Sequence, residues 1–459
     1  MHQRRAVLRA AHAQVFTDAS RTVSEIQRAL RDELQAVWRG LLEVGLELRL
    51  DPEHEVAPSS WILHIHVDEP ETMDEQIALM ARLPRPCRFK LIVRSDVVEA
   101  ALRRRLAEQR ELLRRCDFIR APAGAFLSIW SRDFAVGDER QQVRPMRAPR
   151  SGTQPLDDAN AGDTAVVDVL QLRGTSVLRA PLFFSGGNLV TGRQPDGRTI
   201  LFCGASDFRI TEDLYRQAGL SLTDATYCRV LEAAFGVDRA VLLGTRNPAG
   251  GWLPQSKVLF HLDQAMLLHA PGRAVVHELC LPRDAIPEAE LRPRLFGALA
   301  ELARRYGLDL GAVRSSLAHG SFHGVARPES ASPAEWARDV ARFTALRVEL
   351  DELRQAYGIR RDLESYADGL RRHGFAVTRL PLDLGLAMRR QFHLNAVWVP
   401  RPGAPALLLM PEFGDRTPGA RQHDQRAAEQ LSKLGCTLVP IPDLAHRGAG
   451  GPHCLIRRG

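Results

Sequence analysis

Lysine is almost missing from this sequence. Of 62 basic residues only Lys90, Lys257 and Lys433 are lysines, and the arginines that make up the remainder are scattered from end to end. The formal charge of +7 therefore gathers on no single stretch, and no aromatic residues are interleaved with it as stacking on nucleic acid requires. Runs such as Arg103-Arg104-Arg105 and Arg114-Arg115 lie beside Glu108 and Glu111, the pattern of a solvated helix face. No nucleic-acid partner is expected. A C-x-x-C pair is also absent: the seven cysteines, at 87, 116, 203, 228, 280, 436 and 454, are odd in number and widely spaced. That argues against a disulfide framework and a zinc ribbon, and it fits reduced thiols in a cytoplasmic compartment. No apolar run approaches the ~20 residues that cross a bilayer. Met1-His2-Gln3-Arg4-Arg5 is not followed by the apolar stretch of a secretory signal. The expectation is a cytoplasmic protein with no membrane partner, and assembly into a homo-oligomer stays open.

What the chain does contain is a rhythm. Residues 1–58 read as an N-terminal helical segment, with Thr22 and Glu25 as a capping-box pair. Val23, Ile26, Leu30, Leu34, Val37, Leu41 and Val44 follow at helical spacing. From residue 59 to 459 short apolar strands alternate with amphipathic helices, for example Phe89–Val93 before Val97–Leu113, and Ala406–Met410 before Gln422–Leu434. Repeated strand and helix units indicate an α/β architecture, although no residue-level identity relates the units. Arg140 to Leu170, rich in Arg, Pro, Gly and Asp, reads as an exposed loop. Residues 331–373, opened by Ser332-Pro333-Ala334-Glu335, read as a helical elaboration.

Four short segments carry reactive groups at strand ends or glycine turns. They are Trp130-Ser131-Arg132-Asp133, Gly186-Gly187-Asn188, His261-Leu262-Asp263 and Gly450-Gly451-Pro452-His453-Cys454. Each alone has a plainer reading: a buried small hydrophobe for the cysteine, two polar side chains on one strand face for His-x-Asp, a turn for Gly-Gly-Asn. Their coexistence and order carry the weight. In that order the chain resembles the agmatine deiminases and, more widely, the guanidine-modifying pentein superfamily that includes arginine and peptidylarginine deiminases. Agmatine deiminases carry Trp-x-Arg-Asp, Glu-Gly-Gly, Gly-His-x-Asp and Gly-Gly-Gly-x-x-His-Cys segments, and the resemblance runs from about residue 60 to the end.

The resemblance implies a five-bladed α/β-propeller of ββαβ units behind the N-terminal helical extension. It also implies a catalytic set of Cys454, His261, Asp263 and Asp133. A guanidinium is delocalised and a poor electrophile, so two carboxylates, Asp133 and Asp263, would hold its nitrogens. Cys454 would attack the central carbon, and His261 would protonate the departing ammonia and then activate water. Trp130, Arg132, Gly187 and Asn188 would line the substrate, which would be arginine, an arginine-derived small molecule or a peptidyl-arginine. The chemistry calls for no metal or organic cofactor. Ser185 stands where the family carries glutamate, Phe260 where it carries glycine, and Gly451 and Pro452 replace residues that shape the agmatine pocket, so agmatine is not named as substrate.

Other readings compete. An amidinotransferase would use the same residues and pass the amidino group to an amine. A metallohydrolase would use His64 and His66, which His-x-His-x-Asp sets on one strand face. A catalytically silent binding protein has no need of the full set. His319 and His323 form a glycine-rich loop that reads as surface or as channel mouth. His269 and His453 read as structural, and Cys436 as inert.

Overall fold

A computed structural model of the chain describes residues 2–17, 24–65, 70–122, 127–146, 167–282 apart from 168 and 172, 284–314 apart from 312, 326–414, 419–442 and 451–458. The first strands are short and centre on the apolar runs Trp61-Ile62-Leu63, Leu91-Ile92-Val93 and Phe118-Ile119. β1 (Ser60–Ile65) is buried along its full length and pairs in parallel with β2 (Arg88–Val93), which pairs in parallel with β3 (Cys116–Arg120). Parallel strands covered on both faces take such continuous hydrophobic runs. The remaining sheets repeat one plan: an antiparallel hairpin, then a third strand returning in parallel after a crossover. β4 (Val136–Gly137), β5 (Gln141–Arg144) and β6 (Ser176–Arg179) follow it. So do β7 (Leu189–Arg193), β8 (Thr199–Gly204) and β9 (Arg239–Leu243). β10 (Met266–Ala270), β11 (Arg273–Cys280) and β12 (Ala376–Asp383) form the next set, and β13 (Val397–Arg401), β14 (Ala404–Glu412) and β15 (Thr437–Pro442) the next. The last strand, β16 (Ile456–Arg458), returns to the first sheet and lies antiparallel to β1, with Trp61 opposite Arg458. The described residues thus form an α/β fold of five small mixed sheets, one of them made from both ends of the chain.

The helical start packs on this body. α1 (His2–Thr17) and α2 (Glu25–Glu43) bury Leu8, Ala11, Val15, Leu30, Leu34, Trp38 and Leu41 in one apolar cluster with Tyr215, Tyr227 and Phe235. Trp38 donates its indole N–H to Tyr215 Oη at 2.9 Å, and Tyr215 donates on to Pro181 O at 2.8 Å. Arg4 caps the end of the helix Asp224–Phe235 by donating to Ala233 O and Ala234 O. The capping box differs from the expected one: Ser24 accepts from Gln27 N and the Gln27 side chain returns to Ser24 N, while Thr22 and Val23 lie outside the described residues. Ile26 and Val44, placed on the stripe by spacing, flank the seam and are 62% and 38% exposed.

Two further expectations change. The stretch from residue 140 begins as a buried strand, because Gln141 serves a neighbouring segment: its side chain accepts from Glu47 N and Leu48 N and donates to Gly45 O. Most of the rest of that stretch, residues 147–166, lies outside the described residues. Residues 333–372 form a single 40-residue helix, and Ser332 is its N-cap without a side-chain bond. Its second half covers the β7–β12 core through Ile359, Leu363, Tyr366 and Leu370. All seven cysteines are free, and no described helix is long and apolar enough to cross a membrane.

Leu34 is fully buried between α2 and the main body. Leu34→Ala is expected to lower unfolding stability by about 2–5 kcal/mol, read as a lower urea midpoint at unchanged slope.

Candidate active site

The five sheets share one local feature. A short turn leads into the first strand of each hairpin and into β16, and these turns converge. Ser131–Phe134 precedes β4, Gly186–Asn188 precedes β7, Leu262–Ala265 precedes β10, and Pro452–Leu455 precedes β16. The fifth turn, before β13, carries Asn395. It was not singled out from the sequence, yet a signal was there: Phe260-His261-Leu262-Asp263 recurs as Phe392-His393-Leu394-Asn395.

Cys454, His261 and Asp263 meet, with one ligand-type atom of each lying within 4.8 Å of the other two. Cys454 is 3% exposed, and its Sγ sits 3.6 Å from Asp263 Oδ2. Asn395 fixes the turn: its Nδ2 donates to Sγ at 3.1 Å while its Oδ1 accepts from Gly451 N at 3.0 Å and Cys454 N at 3.4 Å. Asp133 joins through Ser185, which donates to Asp133 Oδ1 at 2.8 Å and lies 2.9 Å from His261 Nε2. With the hydroxyl proton directed to the carboxylate, His261 Nε2 carries the ring proton and Nδ1 is left as acceptor. Ser185, standing in for the family glutamate, links acid to imidazole through one hydroxyl. Gly187 allows the approach, since a Cβ there would lie 2.5 Å from His261 Nδ1.

The electrostatics are unusual. Burial pushes the Cys454 thiol well above its ordinary range, and Asp263 and Asp133 push it further. The thiol is therefore neutral. Asp263 would also be raised by burial, but its bond to His453 and the charges of His453, His261 and Arg132 hold it below the ordinary carboxylate range. Three buried polar atoms here have no hydrogen-bond partner among the described residues: Asp263 Oδ1, Arg132 Nε, and His261 Nδ1, which lies 3.8 Å from Asp133 Oδ1. A buried carboxylate oxygen without a donor is costly, so the site is built for a donor that it does not itself contain.

Behind Asp263 stands a ring of charges. His453 Nδ1 lies 2.9 Å from Asp263 Oδ2, and its Nε2 lies 3.0 Å from Glu53 Oε2. Glu53 Oε1 accepts from Arg132 at 2.6 Å, and Arg132 Nε returns to within 3.9 Å of Asp263 Oδ2. His453, read from sequence as structural, thus reaches the site itself, and Glu53 went unremarked because Asp51-Pro52-Glu53-His54-Glu55 carries no motif. Of the expected substrate-lining residues, Arg132 is occupied by Glu53 and Leu189 O. Trp130 packs against the β1–β3 core. Asn188 accepts from Leu262 N and donates to Ser206 and Asp207. These three support the site from behind. Asp207, also unremarked, accepts from Ser185 N at 2.9 Å, and burial raises its carboxyl to about 7.

The His-x-His strand is differently placed. His64 is buried with Nδ1 2.9 Å from Ser128 O, and His66 lies outside the described residues, as do His319 and His323. Among the described residues His261, Asp263 and Cys454 are the one His/Cys/Asp/Glu group with converging ligand atoms. His269 is half-buried beside Trp398, and burial lowers it to about 4. Cys436 is half-buried with its thiol raised by burial.

No protein-family model and no curated protein matches the chain by sequence. Solved structures do. C. jejuni agmatine deiminase aligns over 90% of this chain and 98% of its own at 11% identity, with a TM-score of 0.51. A structural-genomics target provisionally assigned as an agmatine deiminase aligns over 89% and 94% at 12% identity, also with a TM-score of 0.51. The N-terminal domain of ArgZ, a cyanobacterial arginine dihydrolase, aligns over 87% and 97% at 12% identity, with a TM-score of 0.37. At such identity the likeness is one of fold: the chain is folded like the agmatine deiminases that its motifs resemble.

The ring makes stability depend on pH in both directions. Burial opposes ionisation of Glu53, but Arg132 and His453 hold it well below the ordinary carboxylate range. Its contribution, like that of Asp263, is complete above that range, near pH ~4, and lost as acid protonates it. Burial and Arg132 oppose charging of His453, yet Glu53 and Asp263 raise it overall. Its contribution is complete below pH ~6.5 and lost as pH climbs through the raised value. Thermal unfolding should show a plateau at weakly acidic pH with a fall on both flanks. Glu53→Gln should lower the plateau by about 3–5 kcal/mol and flatten the alkaline flank.

Proposed function

We propose that this chain is a cysteine-dependent hydrolase that converts a guanidino group to a ureido group with release of ammonia. The observation that carries the reading is a buried, neutral thiol beside a carboxylate oxygen and an imidazole nitrogen that have no hydrogen bond among the described residues, at 3% exposure for Cys454 and 2% for Asp263. A planar cation with several N–H donors satisfies all three at once. The agmatine deiminase fold supports the reading. We further propose that the five sheets stand as blades of one α/β-propeller with the site on its axis, and that residues 1–58 are an extension of it. The seven free thiols fit a cytoplasmic setting.

Charge drives the order of events. Asp263 Oδ1 and Asp133 take the guanidinium nitrogens and so neutralise the field that holds the thiol protonated. The thiol proton passes to His261 Nδ1 as the sulfur bonds to the guanidinium carbon. The resulting tetrahedral adduct breaks its C–N bond, and the proton on His261 leaves with ammonia, forming a thiouronium on Cys454. His261, again neutral, takes a proton from water while the oxygen bonds to the same carbon. The C–S bond then breaks, His261 returns its proton to the sulfur, and the hydroxyl proton of the adduct passes through solvent to the released ammonia as the ureido C=O forms. Overall a guanidinium and water give a urea and ammonium. Asn395 Nδ2, already bonded to Sγ at 3.1 Å, steadies the thiolate whenever it forms.

Cys454→Ala should cut turnover by at least about 1,000-fold with unchanged unfolding stability, read as ureido product and ammonia in equal amounts from the wild type. EDTA should leave the wild-type rate unchanged; a rate that fell with chelation and returned with a divalent ion would favour a metal at the same three residues. Because the free thiol is neutral, chloroacetamidine, a cation, should alkylate Cys454 at neutral pH more than tenfold faster than uncharged iodoacetamide, whereas equal rates would contradict the role given to the two carboxylates.

A further inference from the structure

A cationic side chain lies close to the site without a carboxylate partner among the described residues. The helix Leu384–Met388 ends in a turn in which Arg390 N donates to Ala387 O at 2.8 Å and Gln391 N to Leu386 O at 3.0 Å. Arg390 has a φ of 59°, the only positive φ at a non-glycine residue among the described ones. Glycine is the usual occupant of such a cap, so a long cationic side chain is kept where backbone geometry favours none. That side chain lies beside the ring that adjoins His261. Its Cζ lies 5.4 Å from the centre of the Phe260 ring, and the Phe260 ring meets the His261 imidazole edge-on at 4.4 Å. Arg390 also lines a narrow cleft with Gln264, Phe392, Asn395 and Gly451, of which Asn395 and Gly451 hold the Cys454 turn. The guanidinium is exposed, makes one bond, to Lys257 O at 3.4 Å, and forms no ion pair among the described residues.

We propose that Arg390 recognises a carboxylate at the far end of the substrate, so that the chain acts on ω-guanidino acids in preference to guanidino amines. The proposal rests on the reading of Cys454 as a nucleophile toward a guanidinium. The site offers carboxylates to a cation, and Arg390, beside the Phe260 ring that meets His261 edge-on, offers a cation. A substrate with opposite charges at its two ends matches both. In a guanidino acid with three methylenes those charges stand roughly 6–7 Å apart by ordinary bond lengths. An ammonium tail would meet Arg390 with like charge, which selects against it. A carboxylate can take two parallel bonds from the guanidinium fork.

The test compares kcat/KM for γ-guanidinobutyrate and agmatine in the wild type, Arg390→Ala and Arg390→Glu. The wild type should favour the acid by about tenfold or more, Arg390→Ala should bring the ratio to within about threefold of unity, and Arg390→Glu should favour agmatine. Because both substrates are measured on one sample, any loss of folded protein cancels from the ratio. In parallel, protection of Cys454 from chloroacetamidine by each compound reads binding without turnover. A ratio unchanged in Arg390→Ala, with ureido product still formed, overturns the carboxylate subsite and leaves the hydrolase reading standing. Protection with the expected charge preference but no ureido product overturns the hydrolase reading and leaves the subsite. Neither protection nor turnover by either compound overturns both.

Discussion

A carboxylate held ionised in a water-poor site beside a neutral thiol is the constraint on which the rest of this structure depends. Asp263 is 2% exposed, and one of its oxygens has no donor among the described residues. Such a charge persists only where neighbours compensate it. Here the compensation comes from behind, through His453, Arg132 and Glu53, and from in front through whatever cation occupies the site. The same negative field keeps Cys454 protonated, and in the proposed reaction it would do so until the guanidinium arrives. Reactivity is thus coupled to occupancy: the group that satisfies the carboxylates is the group that frees the thiol.

The architecture brings these groups together from far apart in the chain. Glu53 and His453 are separated by 400 residues, and Asp263 and Cys454 by 191. Each sheet delivers one turn to the same place, and the pairing of β16 with β1 sets the position of the last of them. Ser131 reinforces that closure by bonding both Ile62 O at 3.0 Å and Leu455 O at 2.8 Å. Three residue pairs between β16 and β1 would be a weak anchor for Cys454 if they stood alone; a buried hydroxyl shared between the first strand and the final turn makes the register specific.

Much of this could be read from residue order. Cys454, His261, Asp263 and Asp133 stood out because reactive side chains in glycine-rich turns at strand ends are informative in combination, and the structure brings them together. The α/β alternation was legible because short apolar runs such as Leu91-Ile92-Val93 and Leu407-Leu408-Leu409 stand apart from the amphipathic helices between them, and buried parallel strands take such runs. Glu53 and Asn395 were not seen. Glu53 lies in an irregular stretch, and its role exists only through contacts with residues hundreds of positions away. Asn395 sat in a near-copy of the His261 segment, a repeat of four residues too short to register beside unrelated units. Arg132 and Asn188 were placed against substrate because a motif gives the position of a side chain and not its direction; here both point into the supporting layer. Gln141 was taken for a loop residue because its polarity gave no sign of the backbone groups that it satisfies.

The central claim is that the sulfur of Cys454 forms a covalent bond to the guanidinium carbon. Acid-quenching the enzyme during steady turnover of a guanidino acid and mapping its peptides by mass spectrometry tests this directly. The account predicts an amidino-type adduct on the peptide holding Cys454, absent before substrate is added and gone once it is exhausted. Sustained ureido formation with Cys454 unmodified throughout, or an adduct confined to another cysteine, would contradict it.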